Sequence, residues 1–219
     1  MRANEAEQEQ MKLNPALASG AVAIVAIGGV LAYTTMTGPS GPSGFEECRQ
    51  GAVAGDIGGP FELIDETGAT VTDAEVLTEP AILYFGYTFC PDVCPLDTMR
   101  NAQAIDILAE RGIAATPVFI SIDPDRDTPE VVGRFADNFH DKMIGLTGSP
   151  EQVAAASQAY RTYYRKVEEE GDDEFYLVDH STFSYLVLPG QGFVDFVRRE
   201  DSPEDVADRL ACFAEAAEN

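Results

Sequence analysis

The stretch of sequence that decides the fold is AILYFGYTFCPDVCP, residues 81–95. Its first seven residues form a continuous apolar run of the kind found in a β-strand that is covered on both faces. Cys90 and Cys94 follow this strand at once, where the next helix is predicted to begin. Ligands and active sites of open α/β sheets collect at such strand ends, so we place the candidate chemistry of the chain here.

On either side of this stretch, the apolar spacing alternates between that of strands and that of helices. Gly112 closes one helical pattern, and Pro129, Pro150 and Pro203 follow capping residues at the start of three others. Strands are predicted at 61–65, 69–72, 81–87, 117–122, 183–188 and 193–197, and helices at 99–111, about 127–139, 149–160 and from 202 onward. This order indicates an α/β sandwich with a mixed central sheet.

The charge of the chain excludes one class of partner. Fourteen Lys and Arg residues stand against 38 Asp and Glu residues, which gives a net charge of −24. Such a surface repels phosphate backbones, so we expect no nucleic-acid binding. Acidic disordered chains are poor in aromatic residues, whereas this chain contains 12 Phe and 8 Tyr, which indicates a folded domain.

The N-terminal segment indicates that the protein is attached to a membrane. Residues 17–33 read LASGAVAIVAIGGVLAY, and no charged residue lies between Lys12 and Glu46. With its flanks, this run approaches the roughly 20 residues that a spanning helix needs, although a cleaved signal peptide or a buried core helix are alternatives. Cations before the run favour a cytoplasmic N-terminus and an exported domain in an oxidising space. The predicted organisation is a cytoplasmic N-terminus (1–14), a transmembrane anchor (15–36), a flexible tether (37–44) and a folded domain (45–219).

The side chains with metal-ligating or redox chemistry are few. Cys90 and Cys94 share a face if both lie in one helical turn, and exposed helix N–H groups stabilise a thiolate, which suits redox or metal chemistry. The alternative is an inert or permanently bridged pair. Of the two histidines, His140 is predicted to be solvated at the end of a surface helix. His180 precedes a buried strand and is a candidate ligand, while Asp179 either orients its ring or faces solvent.

The ligand types indicate which metal would fit. Structural zinc requires four ligands, and the chain supplies only Cys90, Cys94 and His180 near predicted strand ends. Two thiolates and one imidazole suit copper, as Cu(I) or as Cu(II). Copper is therefore the favoured metal, and a structural role remains the alternative for His180.

Four ordered blocks of sequence resemble the SCO/SenC family of membrane-anchored, thioredoxin-fold copper proteins that take part in cytochrome c oxidase assembly. The resemblance covers about residues 61–213. The blocks are FGYTFCPDVCP at 85–95, SIDPDRDTP at 121–129, GLTGSPEQV at 145–153 and VDHSTFSYLVLPGQGF at 178–193.

The resemblance implies a fold, a ligand set and a function. It implies a thioredoxin-like sandwich in which Cys90, Cys94 and His180 bind one copper ion. It also implies delivery of that copper to the dinuclear copper centre of the oxidase subunit that bears it, or reduction of the cysteines of that subunit. The implied partners are this copper-bearing subunit and other copper chaperones. The implied location is a bacterial inner membrane, with one membrane span, a cytoplasmic N-terminus and a periplasmic domain.

Three functions follow from these residues. The first is a copper metallochaperone, which binds and transfers a metal and is not an enzyme. The second is a thiol:disulfide oxidoreductase, in which Cys90 and Cys94 would be catalytic. The third is a peroxide-reducing or redox-sensing relative of thioredoxin. Thioredoxin-like reductases usually carry C-x-x-C, whereas three residues separate the cysteines here, which favours copper.

Two further cysteines lie outside the C-x-x-x-C motif. Cys48 follows the predicted tether, and Cys212 lies in the last predicted helix. In an oxidising space they are expected to form a disulfide that clasps the two ends of the domain. The alternative is two unrelated thiols, one of them buried as a small hydrophobic residue.

Overall fold

The computed structural model describes residues 44–51, 55–167 and 176–218. Within these ranges the helices are α1 (Phe45–Cys48), α2 (Asp73–Val76), α3 (Val93–Glu110), α4 (Pro129–Asp137), α5 (Pro150–Ala159) and α6 (Pro203–Ala217). The strands are β1 (Glu62–Asp65), β2 (Thr70–Thr72), β3 (Ala81–Gly86), β4 (Thr116–Ser121), β5 (Ile144–Thr147), β6 (Tyr164–Val167), β7 (Leu177–His180), β8 (Ser184–Leu188) and β9 (Gly192–Val197).

The predicted membrane anchor, residues 15–36, lies outside the described residues, as do the cytoplasmic segment 1–14 and residues 37–43 of the tether. Among the helices of the described ranges, none has the length and apolar character that crossing a membrane requires.

Seven strands form one mixed sheet, which confirms the predicted α/β class. Their order is β2-β1-β5-β4-β3-β8-β9. Strands β3, β4 and β5 are parallel neighbours, while β1 pairs with β5 and β8 pairs with β3 in the antiparallel sense. Every residue of β3 and β4 is buried, as expected for strands covered on both faces. The continuous apolar run at 81–87 is therefore confirmed as a central strand.

Helices cover the sheet with two clusters of buried side chains. One cluster joins α1, α3 and α6 to β8 and β9, with Leu108 and Phe213 fully buried in it. The other contains Val132 of α4 and Val153 of α5, packed with residues of β3 and β4. Because helices cap both clusters, the central strands lie inside the domain and their ends meet its surface.

A disulfide joins the two ends of the described domain, as predicted. Cys48 at the end of α1 is bonded to Cys212 in α6, with their Cα atoms 5.6 Å apart. Phe45 packs edge-on against Phe213 beside this bond, with ring centroids 5.3 Å apart. The bridge therefore lies in the packed contact between the first and last helices of the described ranges.

Helix α3 begins at Val93, which confirms the predicted helix start at the cysteine pair. The apolar pattern at 99–111 alone missed the first six residues of this helix, and the sequence interpretation did not identify three strands. Pro95 is the third residue of this helix, where the backbone N–H has no partner inside the helix and a proline is tolerated. The additional strands are β5, β6 and β7, of which β6 and β7 form a separate two-stranded ladder.

Candidate metal centre

The loop between β3 and α3 brings Cys90 to the N-terminus of the helix. The Cys90 N–H donates to the Tyr87 carbonyl over 3.3 Å, which turns the chain back after the strand. The Cys94 N–H, in the first turn of α3, then donates to Cys90 Sγ over 3.4 Å. The predicted convergence of the two sulfurs is confirmed, but they do not share one helical turn, because Cys90 precedes the helix. The folded loop brings the two sulfurs together instead.

Gly86, the last residue of β3, leaves room for the Cys94 sulfur. A β-carbon at this position would lie 3.0 Å from Cys94 Sγ and 2.8 Å from Tyr84 Cε1. Both distances are shorter than an ordinary van der Waals contact, so a larger residue would displace the sulfur or the ring. The absence of a side chain at this strand end therefore allows Cys94 to be fully buried beneath the loop.

His180 reaches the cysteines from the β6–β7 ladder, where it is the last residue of β7 and pairs opposite Tyr164. Its Nε2 lies 3.3 Å from Cys94 Sγ, and its Nδ1 lies 2.8 Å from the Ser181 carbonyl oxygen. A carbonyl oxygen only accepts hydrogen bonds, so Nδ1 carries a proton and donates it there. In the neutral ring, the lone pair of Nε2 consequently faces the sulfurs.

The three predicted ligands lie together. The two Sγ atoms and the imidazole nitrogen are all within 4.8 Å of one another, with both cysteines buried and His180 half-buried. This donor set fits a soft metal ion, because two sulfurs and one nitrogen converge on one point. In the described part of the chain, no fourth Cys, His, Asp or Glu joins the group. The four-ligand arrangement of structural zinc is therefore not assembled by these residues.

The two thiols differ in acidity because they lie so close together. A hydrogen bond with Cys94 lowers the pKa of the Cys90 thiol, and hydrogen bonds with His180 and with backbone N–H groups lower it further against the effect of burial. The same hydrogen bond with Cys90, together with burial, raises the pKa of Cys94. The hydrogen bond between the two sulfurs therefore favours the thiolate on Cys90 and the protonated thiol on Cys94.

Aromatic and charged side chains that sequence reasoning missed surround the ligands. The rings of Tyr84 and Tyr87 stand edge-on to the His180 ring, with centroids 6.2 and 5.8 Å away. The Tyr84 hydroxyl donates to Asp97 over 3.1 Å, and Asp97 in turn pairs with Arg100 at 3.2 Å. These side chains are buried and joined by a hydrogen bond and an ion pair, so the network holds them in place beside the imidazole. Tyr84 lies within the continuous apolar run of β3, which gave no signal of this role.

Two expectations about residues near the histidines are now resolved. Asp179 faces solvent, because its side chain is 58% exposed and pairs with Arg165 at 3.2 Å. The prediction that His140 is solvated was wrong, since only 15% of its side chain is exposed. Its Nε2 lies 3.4 Å from an Asp106 oxygen, and its Nδ1 accepts the Lys142 N–H over 2.9 Å. His140 is thus held by local contacts beyond the end of α4.

An α/β domain with this mixed sheet and a dithiol–imidazole cluster at the end of its central strand is a thioredoxin-like protein with a candidate metal centre. The family model described as SCO1/SenC matches residues 49–215. The chain belongs to this family, which confirms the resemblance of its four sequence blocks.

Curated relatives and solved structures agree with this assignment. Protein SenC of Rhodobacter capsulatus is 53% identical over 203 residues, which covers 92% of this chain and 90% of the relative. Protein SCO1 homolog 1 of Arabidopsis thaliana is 45% identical over 163 residues, covering 73% of this chain and 48% of the relative.

Two similar structures are described as having copper bound. The crystal structure of Arabidopsis thaliana ScoI is 43% identical and has a TM-score of 0.68, covering 73% of this chain and 99% of that one. Bradyrhizobium japonicum ScoI is 35% identical with a TM-score of 0.64, covering 71% of this chain and 98% of that one. The predicted thioredoxin-like fold is confirmed by these likenesses.

Proposed function

We propose that this protein is a copper metallochaperone that binds one copper ion through Cys90, Cys94 and His180. One observation carries the proposal: the three ligand atoms lie within 4.8 Å of one another at the edge of the central sheet. The copper bound in two similar proteins supports the choice of metal, as does the preference of copper for thiolate and imidazole ligands.

The residues of the site prepare it to bind copper before any metal arrives. Cys90 is ionised at neutral pH because its hydrogen bonds lower its pKa, so one soft anionic ligand is already present. His180 has its Nδ1 held by the Ser181 carbonyl, so its Nε2 needs no reorientation. Only Cys94 must lose a proton. Copper supplies the Lewis acidity that favours this loss, as metal binding generally does for thiols.

The same two cysteines make binding dependent on their redox state. Both are free thiols in this structure. If they are oxidised to a disulfide, neither sulfur remains as a thiolate ligand, and only His180 is left. Oxidation of the pair is therefore expected to abolish tight copper binding, and reduction to restore it.

Within this proposal, the chain supports assembly of the dinuclear copper centre of cytochrome c oxidase. The partner is the oxidase subunit that bears this centre, and other copper chaperones are candidate donors. Leu96 and Met99 in the first turns of α3 are 60% and 42% exposed, which supports contact with a partner beside the site. The location proposed is the periplasmic face of a bacterial inner membrane, with residues 15–36 as the anchor.

Copper stoichiometry of the full chain tests the proposal. The reduced protein is equilibrated with Cu(I) and with Cu(II), and bound metal is quantified beside Cys90→Ser/Cys94→Ser and His180→Ala. We expect one tightly bound copper per wild-type chain, almost none in the double serine variant, and binding weakened at least tenfold in His180→Ala. Unchanged copper binding in the double serine variant would refute the ligand assignment.

A second candidate function, thiol:disulfide exchange, is favoured by the unequal acidity of the two thiols. In this reaction the Cys90 thiolate attacks one sulfur of a partner disulfide, and the other partner sulfur leaves as a thiolate. Cys94 then loses its proton and attacks Cys90 Sγ, releasing the second partner thiolate and leaving a Cys90–Cys94 disulfide. The partner gains two electrons and the pair loses two.

The two functions predict different properties for His180→Ala. The hydrogen bond with Cys94, which lowers the pKa of Cys90 most, is kept in this variant, so it retains most of its disulfide reduction, whereas its copper binding falls. A wild-type chain that reduces a model disulfide substrate without binding copper would establish the second function in place of the first.

A further inference from the structure

The strand that carries His180 is not part of the main sheet. Within the described ranges, strand β7 pairs with β6 alone, in a ladder separate from the seven-stranded sheet. The cysteine loop, by contrast, follows β3 of that sheet. His180 is linked to the main sheet by residues 181–183, which lead into β8 beside β3. No ladder joins the His180 strand itself to the segment that carries Cys94, 86 residues away in sequence. Contacts made by side chains between these two segments therefore contribute to the geometry of the site, beside the short connection to β8.

Arg126, in the loop after β4, lies between the two segments. Its guanidinium carbon is 3.6 Å from the centre of the Tyr176 ring and 4.7 Å from the centre of the Phe89 ring. Phe89 directly precedes Cys90, and Tyr176 directly precedes β7. A planar cation can stack on aromatic faces on both of its sides, so one side chain contacts both segments.

Hydrogen bonds fix the orientation of this guanidinium. One terminal nitrogen donates to the Tyr176 carbonyl oxygen over 2.9 Å, and Nε donates to an Asp123 carboxylate oxygen over 2.5 Å. The Tyr176 hydroxyl donates to the other oxygen of Asp123 over 2.5 Å. Arg126, Asp123 and Tyr176 thus form a closed ring of contacts, in which Asp123 is 4% and Tyr176 is 4% exposed.

We propose that Arg126 is a positioning residue that holds the Cys90 loop and the His180 strand at the separation needed for shared metal ligation. The inference rests on the proposed copper site but goes beyond it, because Arg126 contributes no ligand. Arginine is required because lysine offers neither a planar face for two rings nor a fork of N–H donors. Loss of the side chain is expected to release β7 relative to the loop, without disturbing the seven-stranded sheet.

The test compares Arg126→Met, Arg126→Lys and the matched control Arg165→Met in the full chain. Arg165→Met also removes one cation beside β7, but the side chains of Arg165 and its partner Asp179 are 66% and 58% exposed, so their pair lies in solvent. Copper affinity is measured by competition with a chromophoric chelator, and the visible absorption of the Cu(II)–thiolate bond is recorded. We expect Arg126→Met to bind copper about tenfold more weakly with a shifted absorption band, as for other residues that orient ligands.

A second measurement needs no copper. In the reduced, metal-free chain, nitrogen NMR of the His180 ring reports which ring nitrogen carries the proton. The wild type is expected to show the Nδ1–H form bonded to Ser181, and Arg126→Met a mixture of the two forms. Arg126→Lys keeps the charge and the aliphatic stem, so it tests the positioning role if Arg126→Met does not fold. We expect its copper affinity and its His180 ring signals to lie between those of the wild type and Arg126→Met.

The outcomes separate this inference from the proposed function. Folded Arg126 variants with wild-type copper affinity and a wild-type His180 ring would overturn the inference, as would an equal loss in Arg165→Met. A His180→Ala variant measured in parallel checks the ligand set: if it binds copper as the wild type does, the proposed site fails. If His180→Ala is weakened while the Arg126 variants are not, only the positioning role fails.

Discussion

Removal of the Cys48–Cys212 disulfide is expected to destabilise the domain strongly. The bonded residues are 164 positions apart, and in the chain-entropy model a crosslink over this span contributes about 5 kcal/mol to the free energy of unfolding. The mechanism acts on the unfolded chain, whose conformational freedom the bond restricts. The packing of Phe45 on Phe213 beside the bond should keep the native ends in place when the bond is absent.

The assay compares the full wild-type chain with Cys48→Ser/Cys212→Ser by thermal and urea unfolding. A loss of 5 kcal/mol corresponds to a fall in melting temperature of about 10–20 °C for a domain of this size. The slope of the unfolding free energy against urea should also rise, because an unfolded chain without the crosslink exposes more surface. Wild type treated with a strong reductant should move towards the variant.

The control is Cys90→Ser/Cys94→Ser, which removes two thiols that are not joined by a disulfide in this structure. This variant should keep the wild-type urea slope, since it alters no crosslink. A Cys48→Ser/Cys212→Ser variant that unfolds within about 0.5 kcal/mol of the wild type, the range of an ordinary surface substitution, would refute the reasoning.

Three further predictions concern the candidate metal centre. Gly86→Ala should lower the free energy of unfolding by about 1–3 kcal/mol through overpacking, and should weaken copper binding because its β-carbon would lie 3.0 Å from Cys94 Sγ. Urea unfolding and competition with a chelator measure the two effects, and wild-type values in both assays would contradict this prediction. The reduced, metal-free chain should retain one thiolate absorbing near 240 nm at pH 6, where an ordinary thiol with a pKa of about 8.5 is protonated. The reason is that the hydrogen bond with Cys94 lowers the pKa of Cys90, so the charged form disappears only as the pH falls through that lowered value. A Cys90→Ser variant should lose this absorbance. If the absorbance persists in that variant, Cys90 is not the residue that carries the thiolate. Asp179→Asn should leave copper affinity unchanged, since this side chain pairs with Arg165 in solvent, and a tenfold loss would show that it orients the imidazole after all.

The central part of the fold was predictable because its signals are local. Strands β3 and β4 are short apolar runs whose every residue is buried, so composition alone identifies them. The serines before α5 and α6 each accept the N–H of the residue three positions on, and the proline that follows each serine has no N–H to satisfy. Signals of this kind need no knowledge of the rest of the chain.

The β6–β7 ladder was not predictable from such signals. Strand β6 reads YRKV, with charged Arg165 and Lys166 exposed at its centre, and it has no continuous apolar face. Its partner begins ten residues after β6 ends, and His180 pairs with Tyr164 across that interval. The pairing is specified by tertiary contacts, which override the weak strand propensity of the segment.

The ligands of the site were predictable by residue type, but the residues that hold them were not. Cysteine and histidine are rare in this chain, so their positions alone draw attention. Tyr84 and Arg126 belong to common residue types, and their roles depend on rings and charges that meet only in the folded domain.

The positions of the four cysteines along the chain affect how the protein matures. Cys90 and Cys94 are four residues apart, whereas Cys48 and Cys212 are 164 apart and meet only when α1 packs on α6. Short loops close more readily than long ones in an unfolded chain. An oxidant that acts before folding is complete therefore bonds the wrong pair first. In an oxidising compartment, a reductant that opens the short bridge and spares the long one must then act before the protein can take up metal.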